Sequence, residues 1–317
     1  MKKQENRYNN FHAHLKKTFG CRVQKITVDA GFSCPNRDGR ISTGGCIYCN
    51  PRGSGTGAHS RGVSITDQLK QGKTALSKKY KAKKFIAYFQ SFTNTYAPFE
   101  QLKAVYEEAL AVEDIVWLSI GTRPDCVDTR ILNLLEKYAK HNLIWIEYGL
   151  QSAHDTTLDR INRGHDFRSF KNAVRATQGR KIKICAHVIL GLPNETRAQM
   201  NETADILSTI GIDGIKIHLL YVIRGTKLDE LYQKGLYNCL EQNEYADLVC
   251  DFLERLPKDI VIQRLTGDPH RHELVAPDWS LKKNETLALI QDTLTKRKTW
   301  QGKLVDAPDI TSLKQAP

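Results

Sequence analysis

Leu143-Ile-Trp-Ile-Glu-Tyr-Gly-Leu-Gln-Ser152 is the stretch that decides the fold. Strand alternation puts Trp145, Glu147, Gly149 and Gln151 on one side and Ile144, Ile146, Tyr148 and Leu150 on the other. One row is apolar and the other carries polar groups. The same division recurs at 182–188, where Lys183, Cys185 and His187 alternate with Ile182, Ile184, Ala186 and Val188. It recurs again at 214–220, where Lys216 and His218 oppose Ile215, Ile217 and Leu219. Further strand-like runs stand at 23–29, 85–90, 115–120 and 260–265. Between strands lie helical patterns, including 65–80, 99–112, 198–210, 243–256 and 282–295. Strands spaced by helices predict βαβ units, a parallel sheet and an α/β fold, here a complete or partial β/α barrel. The apolar rows should face the helices and the polar rows the lumen. A polar lumen makes a poor structural core, because buried polar groups need partners, but it suits a cavity for a polar cofactor and substrate. Chemistry is expected on the loops after the strands.

The bulk numbers permit this. The chain has 317 residues, 40% hydrophobic and 26% charged, enough for one large domain. Its formal charge of +12 favours a polyanionic partner, nucleic acid first, although a basic surface also serves solubility. Lys70, Lys73, Lys78, Lys79, Lys81, Lys83 and Lys84 follow Ile65 and Leu69 along one amphipathic helix and read as a solvated face. Lys296-Arg297-Lys298 forms a second basic cluster. No apolar run reaches the ~18 residues of a membrane span. The first residues lack an apolar stretch and do not read as a secretory signal. Eight cysteines in such a chain argue for a reducing, cytoplasmic setting rather than disulfides. Residues 306–317 read as a poorly ordered tail.

Cys34-Pro-Asn-Arg-Asp-Gly-Arg-Ile-Ser-Thr-Gly-Gly-Cys46-Ile-Tyr-Cys49 follows the first strand with C-x11-C-x2-C spacing. Thiolates suit iron–sulfur clusters, zinc or copper(I). Structural zinc normally takes four protein ligands, and here the local count stops at three. Three thiolates fit a [4Fe–4S] cluster whose fourth iron binds a small molecule. A zinc loop and unrelated thiols remain alternatives. Cys21 is 13 residues upstream, across a strand, and reads as an incidental thiol. Cys126, Cys185, Cys239 and Cys250 lack close pairing and read as small buried side chains. A second metal site among these five cysteines stays open.

With these residues the sequence resembles the radical S-adenosylmethionine (SAM) superfamily, its Elongator-like branch, and most nearly the bacterial YhcC/YtqA-type proteins. The common superfamily spacing is C-x3-C-x2-C with an aromatic before the last Cys. The long first gap is shared in kind by the Elongator-like branch, and Tyr48 supplies the aromatic. Further resembling stretches are Tyr88–Thr95, Gly121–Asp125, Glu147–Ser152, Ile161–Asp166 and His187–Pro193, in family order over about residues 20–275.

The resemblance implies a partial (β/α)6 radical-SAM barrel with short terminal extensions. The divisions expected are an extension at 1–20, the core at 21–275, and a C-terminal helix and tail at 276–317. It also implies roles. Cys34, Cys46 and Cys49 would hold the cluster. Gln90 and Ser91 would receive the methionyl amine of SAM, and Arg123 or Arg163 its carboxylate. Gln151 and Ser152 would reach the ribose, and Tyr48, the region of Gly191 and the strand end near Leu220 would flank adenine. Glu147 and His187 complete the expected cofactor-binding set. The implied chemistry is one-electron cleavage of SAM to methionine and a 5′-deoxyadenosyl radical, fed by flavodoxin or ferredoxin.

For the substrate, the Elongator likeness and the charge point to tRNA and a wobble-uridine type of modification. The chain lacks the acetyltransferase-like continuation of the Elongator subunit, so that reaction does not transfer whole. Alternatives are a small metabolite or a protein side chain as substrate, or a non-enzymatic metal-binding RNA module. Substrate-side candidates are His187, Lys216, His218, Arg264 and the run His270-Arg271-His272.

Overall fold

The computed structural model describes residues 7–305 except 52, 54 and 55. The expected tail at 306–317 lies outside the described residues. Nine strands are present among these: β1 (Val23–Val28), β2 (Lys84–Phe89), β3 (Ile115–Thr122), β4 (Leu143–Gln151), β5 (Lys183–Leu190), β6 (Gly214–Leu219), β7 (Val222–Ile223), β8 (Val261–Arg264) and β9 (Leu274–Ala276). The helices are α1 (Phe11–Phe19), α2 (Ile65–Tyr80), α3 (Phe99–Leu110), α4 (Thr129–Tyr138), α5 (Asp155–Arg160), α6 (Phe167–Thr177), α7 (Arg197–Thr209), α8 (Lys227–Gln233), α9 (Gln242–Glu254) and α10 (Lys283–Lys296).

Seven strands form one parallel sheet in the order β1-β2-β3-β4-β5-β6-β8. Helices return the chain between successive strands. The α/β half-barrel expected from the sequence is therefore present, with β8 extending the six βα strands. β7 and β9 pair antiparallel beside the barrel mouth.

The two-row reading of the strands explains the layers. Ile144, Ile146, Tyr148 and Leu150 join the large core under the helices, as do Ile184, Ala186, Val188, Ile215, Ile217 and Leu219. The opposite row faces the lumen. Helix starts are fixed locally: Asp128 caps α4 at Ile131 N, Asp166 caps α6 at Ser169 N, and Thr196 with Gln199 forms a capping box on α7.

The two sheet edges, β1 and β8, leave a seam. The N-terminal segment covers it: Ile262 N donates to Asn9 O at 2.9 Å, which adds Asn10 alongside β8. α1 then crosses the bottom of the barrel. Phe11 meets the Trp117 ring edge-on at 5.6 Å, and Trp117 stacks on Trp145 at 5.0 Å. With Leu15, Val23, Ile86, Cys185 and Val261 they form a separate apolar cluster. This floor closes the lumen below and leaves it open at the carboxyl ends of the strands.

Candidate active site

A cavity of about 1230 Å³ occupies the open end. It is lined by all three clustered cysteines and by Tyr48, Gln90, Ser91, Arg123, Glu147, Gln151, Arg163, His187, Lys216 and His218. Ser152, Gly191 and Arg271 are not among the lining residues. Ser152 is buried behind the wall, where its hydroxyl donates to Glu195 and accepts from His154 N at 3.1 Å. It anchors the start of α5.

The cysteine loop is held in place by the Ile161–Asp166 loop. Ile47 N donates to Ile161 O at 3.1 Å, and Asn162 Nδ2 donates to Gly45 O at 2.8 Å. Asn36 Nδ2 donates to Asn162 O at 2.6 Å and lies 3.7 Å from Cys46 Sγ. Two guanidiniums address the sulfurs: Arg163 Nη1 is 3.6 Å from Cys46 Sγ, and Arg37 Nη1 is 3.5 Å from Cys49 Sγ. Both depend on a glycine. A Cβ on Gly149 would meet Arg163 Nη2 at 2.6 Å, and one on Gly45, whose φ is +80°, would meet Arg37 Nη1 at 2.9 Å.

Arg163 is buried, donates to Gly149 O at 2.5 Å, and keeps a buried Nε without a partner. Burial works against its charge, but Cys46 and Tyr48 outweigh this and hold it firmly protonated. Arg123 is placed differently. Its Nε and Nη2 grip Asp125 at 2.9 and 2.8 Å, and Nη1 donates to Arg163 O at 2.7 Å. Of the two arginines proposed for the carboxylate of SAM, Arg123 is spent on positioning Arg163. Gln151 sits at a β-bulge with φ +82°, a strained conformation that turns the strand end toward the cavity.

Deeper, Glu147 is fully buried. Its carboxylate accepts from Ser119 Oγ, Lys216 Nζ and, at 2.7 Å, His187 Nε2, with Lys25 Nζ 3.6 Å away. Burial alone would raise its pKa, yet Lys216 and Lys25 hold it well below the usual carboxylate range. These bonds make Glu147 the hub of a lumen network. His187 belongs to the same network. Glu147, Cys185 and His187 bring ligand atoms within 4.8 Å of one another, but the Lys216 ammonium already sits on the carboxylate. Cys185 and Cys250 are buried, Cys21, Cys126 and Cys239 half-buried, and none is disulfide-bonded.

Sequence reasoning passed over Asn36, Arg37, Asn162, Lys25 and Tyr88. Lys25 was findable, since it shares the alternation that exposed Lys216. Nothing local marks Arg37 as the side chain of its loop that turns inward.

No helix among the described residues is long and apolar enough to cross a membrane. Residues 37–207 match the Radical SAM superfamily and 212–296 the Radical_SAM C-terminal domain. The uncharacterized protein YtqA of Bacillus subtilis is 41% identical over 299 residues, 94% of this chain and 93% of that protein. Elongator complex protein 3 of Saccharomyces cerevisiae is 30% identical over 174 residues, 52% of this chain and 30% of that protein. The solved archaeal Methanocaldococcus infernus Elp3 superposes with TM-score 0.64 at 18% identity, over 88% of this chain and 64% of that one, a likeness of fold. A match along more than half of the chain and a relative alike along nearly all of it lead to one conclusion: the chain belongs to the radical SAM superfamily, the enzymes that cleave S-adenosylmethionine reductively with a [4Fe–4S] cluster, and to its Elongator-like branch.

Proposed function

We propose that this radical SAM enzyme holds its cluster on Cys34, Cys46 and Cys49, binds SAM beside it in the cavity, and modifies a nucleoside of tRNA. The observation that carries the reading is three thiols lining the open end of the barrel, two of them met by guanidiniums. The donor set fits an iron–sulfur cluster. Burial and the adjacent Cys46 push the Cys49 thiol up to about 11, so thiolates form there when a metal takes their charge. Arg37 and Arg163 then face an anionic cluster, and hydrogen bonds to its sulfurs tune its potential. When bound, the cluster supplies the electron that splits the sulfonium of SAM into methionine and a 5′-deoxyadenosyl radical.

The remaining work belongs to the chain. Arg163 offers its unpartnered Nε to the methionyl carboxylate, and Arg123 fixes the loop that carries it. Gln90 and Ser91, after β2, face the methionyl amine. Gln151 reaches the ribose, and Tyr48 with Leu220 flanks adenine. The aromatic floor keeps water from entering below. A small electron-transfer protein such as flavodoxin or ferredoxin supplies the electron.

The formal charge of +12 and the Elongator likeness support tRNA as substrate. Nucleoside mass spectrometry of total tRNA from a strain lacking the gene tests this. The reading predicts loss or accumulation of one modified nucleoside, restored by the wild-type gene and not by C46A. An unchanged nucleoside profile contradicts it.

A further inference from the structure

The lumen beneath the cysteines holds more positive charge than its own residues neutralise. Lys25 and Lys216 share the single carboxylate of Glu147, which only partly offsets the burial that pulls Lys216 down to about 7, so an added anion would also favour its charged form. Arg264 stands beside Lys216 in the β6–β8 ladder and lines the same cavity. The two imidazoles are held neutral and change this balance in neither direction. Burial and Lys216 pull His187 down to about 4, and burial and Arg264 hold His218 well below its usual value.

The carboxylates that line the cavity are already engaged. Glu147 takes Ser119, His187 and Lys216. At the rim Asp268 pairs with Lys283 at 2.7 Å, and Glu273 accepts from Asn50 at 3.0 Å. Arg264 is half-buried, and its side chain has no hydrogen bond or ion pair to another described residue. The buried Nε2 of His218 likewise lacks a partner. A cation withdrawn from water without a counter-ion is costly, and a fold retains one where a ligand completes the pair.

We propose that the lumen is an anion-binding subsite of the substrate cavity, in which a carboxylate or phosphate group of the substrate seats between Arg264, Lys216 and His218. The guanidinium fork of Arg264 binds two oxygens side by side, and Lys216 adds a point charge from the adjoining strand. Arg163 serves SAM at the cysteine loop, whereas Arg264 lies on the edge strand β8. The inference rests on this cavity being the substrate cavity of a radical SAM enzyme, but its test requires neither tRNA nor turnover.

The test measures the Tm of the anaerobically purified, cluster-loaded enzyme in malonate, in inorganic phosphate and in chloride at equal ionic strength. A saturable rise in one or both anions supports the subsite, and the stronger of the two identifies the group as carboxylate or phosphate. R264Q should keep its Tm in chloride, because it removes a cation from an unbalanced cluster. It should weaken the anion by about tenfold or more, the loss expected for a charged hydrogen-bonded pair. SAM affinity, read from the change in the cluster's electron paramagnetic resonance signal, should stay within about twofold. Three results overturn the proposal: no saturable rise with either anion, an equal rise in R264Q, or loss of SAM affinity in R264Q, which would make Arg264 the partner of SAM. None of them touches the assignment of the cluster.

Discussion

Three neighbours hold Arg163 in place. Gly149 leaves room for its Nη2, Cys46 receives Nη1, and Arg123 holds its carbonyl. Lysine would keep the charge and lose the fork. R163K is therefore expected to assemble a cluster yet raise the KM for SAM by about tenfold or more in 5′-deoxyadenosine formation. An unchanged KM would remove Arg163 from the carboxylate. This scale was the least legible in the sequence. Arg123 and Arg163 read alike in the sequence, and nothing local to Arg163 signals that Arg123 alone bonds Asp125. The partner of Ser152, the carboxylate of Glu195, lies 43 positions away and leaves no local signal in the sequence.

At the scale of elements, the strands were legible because each has two distinct faces. Six or more residues of alternation suffice to declare a strand and its buried side. The two-residue β7 and three-residue β9 carry too little pattern, and the six residues of α5 make less than two full turns. α1 was hidden for another reason. Its apolar residues Phe11 and Leu15 share one face, but the partner of that face is the bottom of a barrel assembled from distant strands. The floor makes a stability prediction. Leu15 is 4% exposed within an aromatic cluster, so L15A should cost about 2–4 kcal/mol in chemical denaturation. A loss below about 0.5 kcal/mol would show that α1 merely rests on the barrel.

For the whole molecule, the charge is not spread evenly over the two ends. Lys81, Lys83 and Lys84 lie between the end of α2 and the start of β2, at the closed floor. The basic groups at the mouth are Arg37, Arg61, Arg264, His270 and His272. The half-barrel, its floor and its lateral cover converge on a cavity that opens beside three cysteines. The measurement that tests the account most directly is iron and sulfide content after anaerobic reconstitution, for the wild type and for single alanine variants of all eight cysteines. The account predicts about four irons per wild-type chain, a signal that changes when SAM is added, and loss of both in C34A, C46A and C49A alone. Full iron content in any of those three, or its loss in C21A, C126A or C185A, would contradict it.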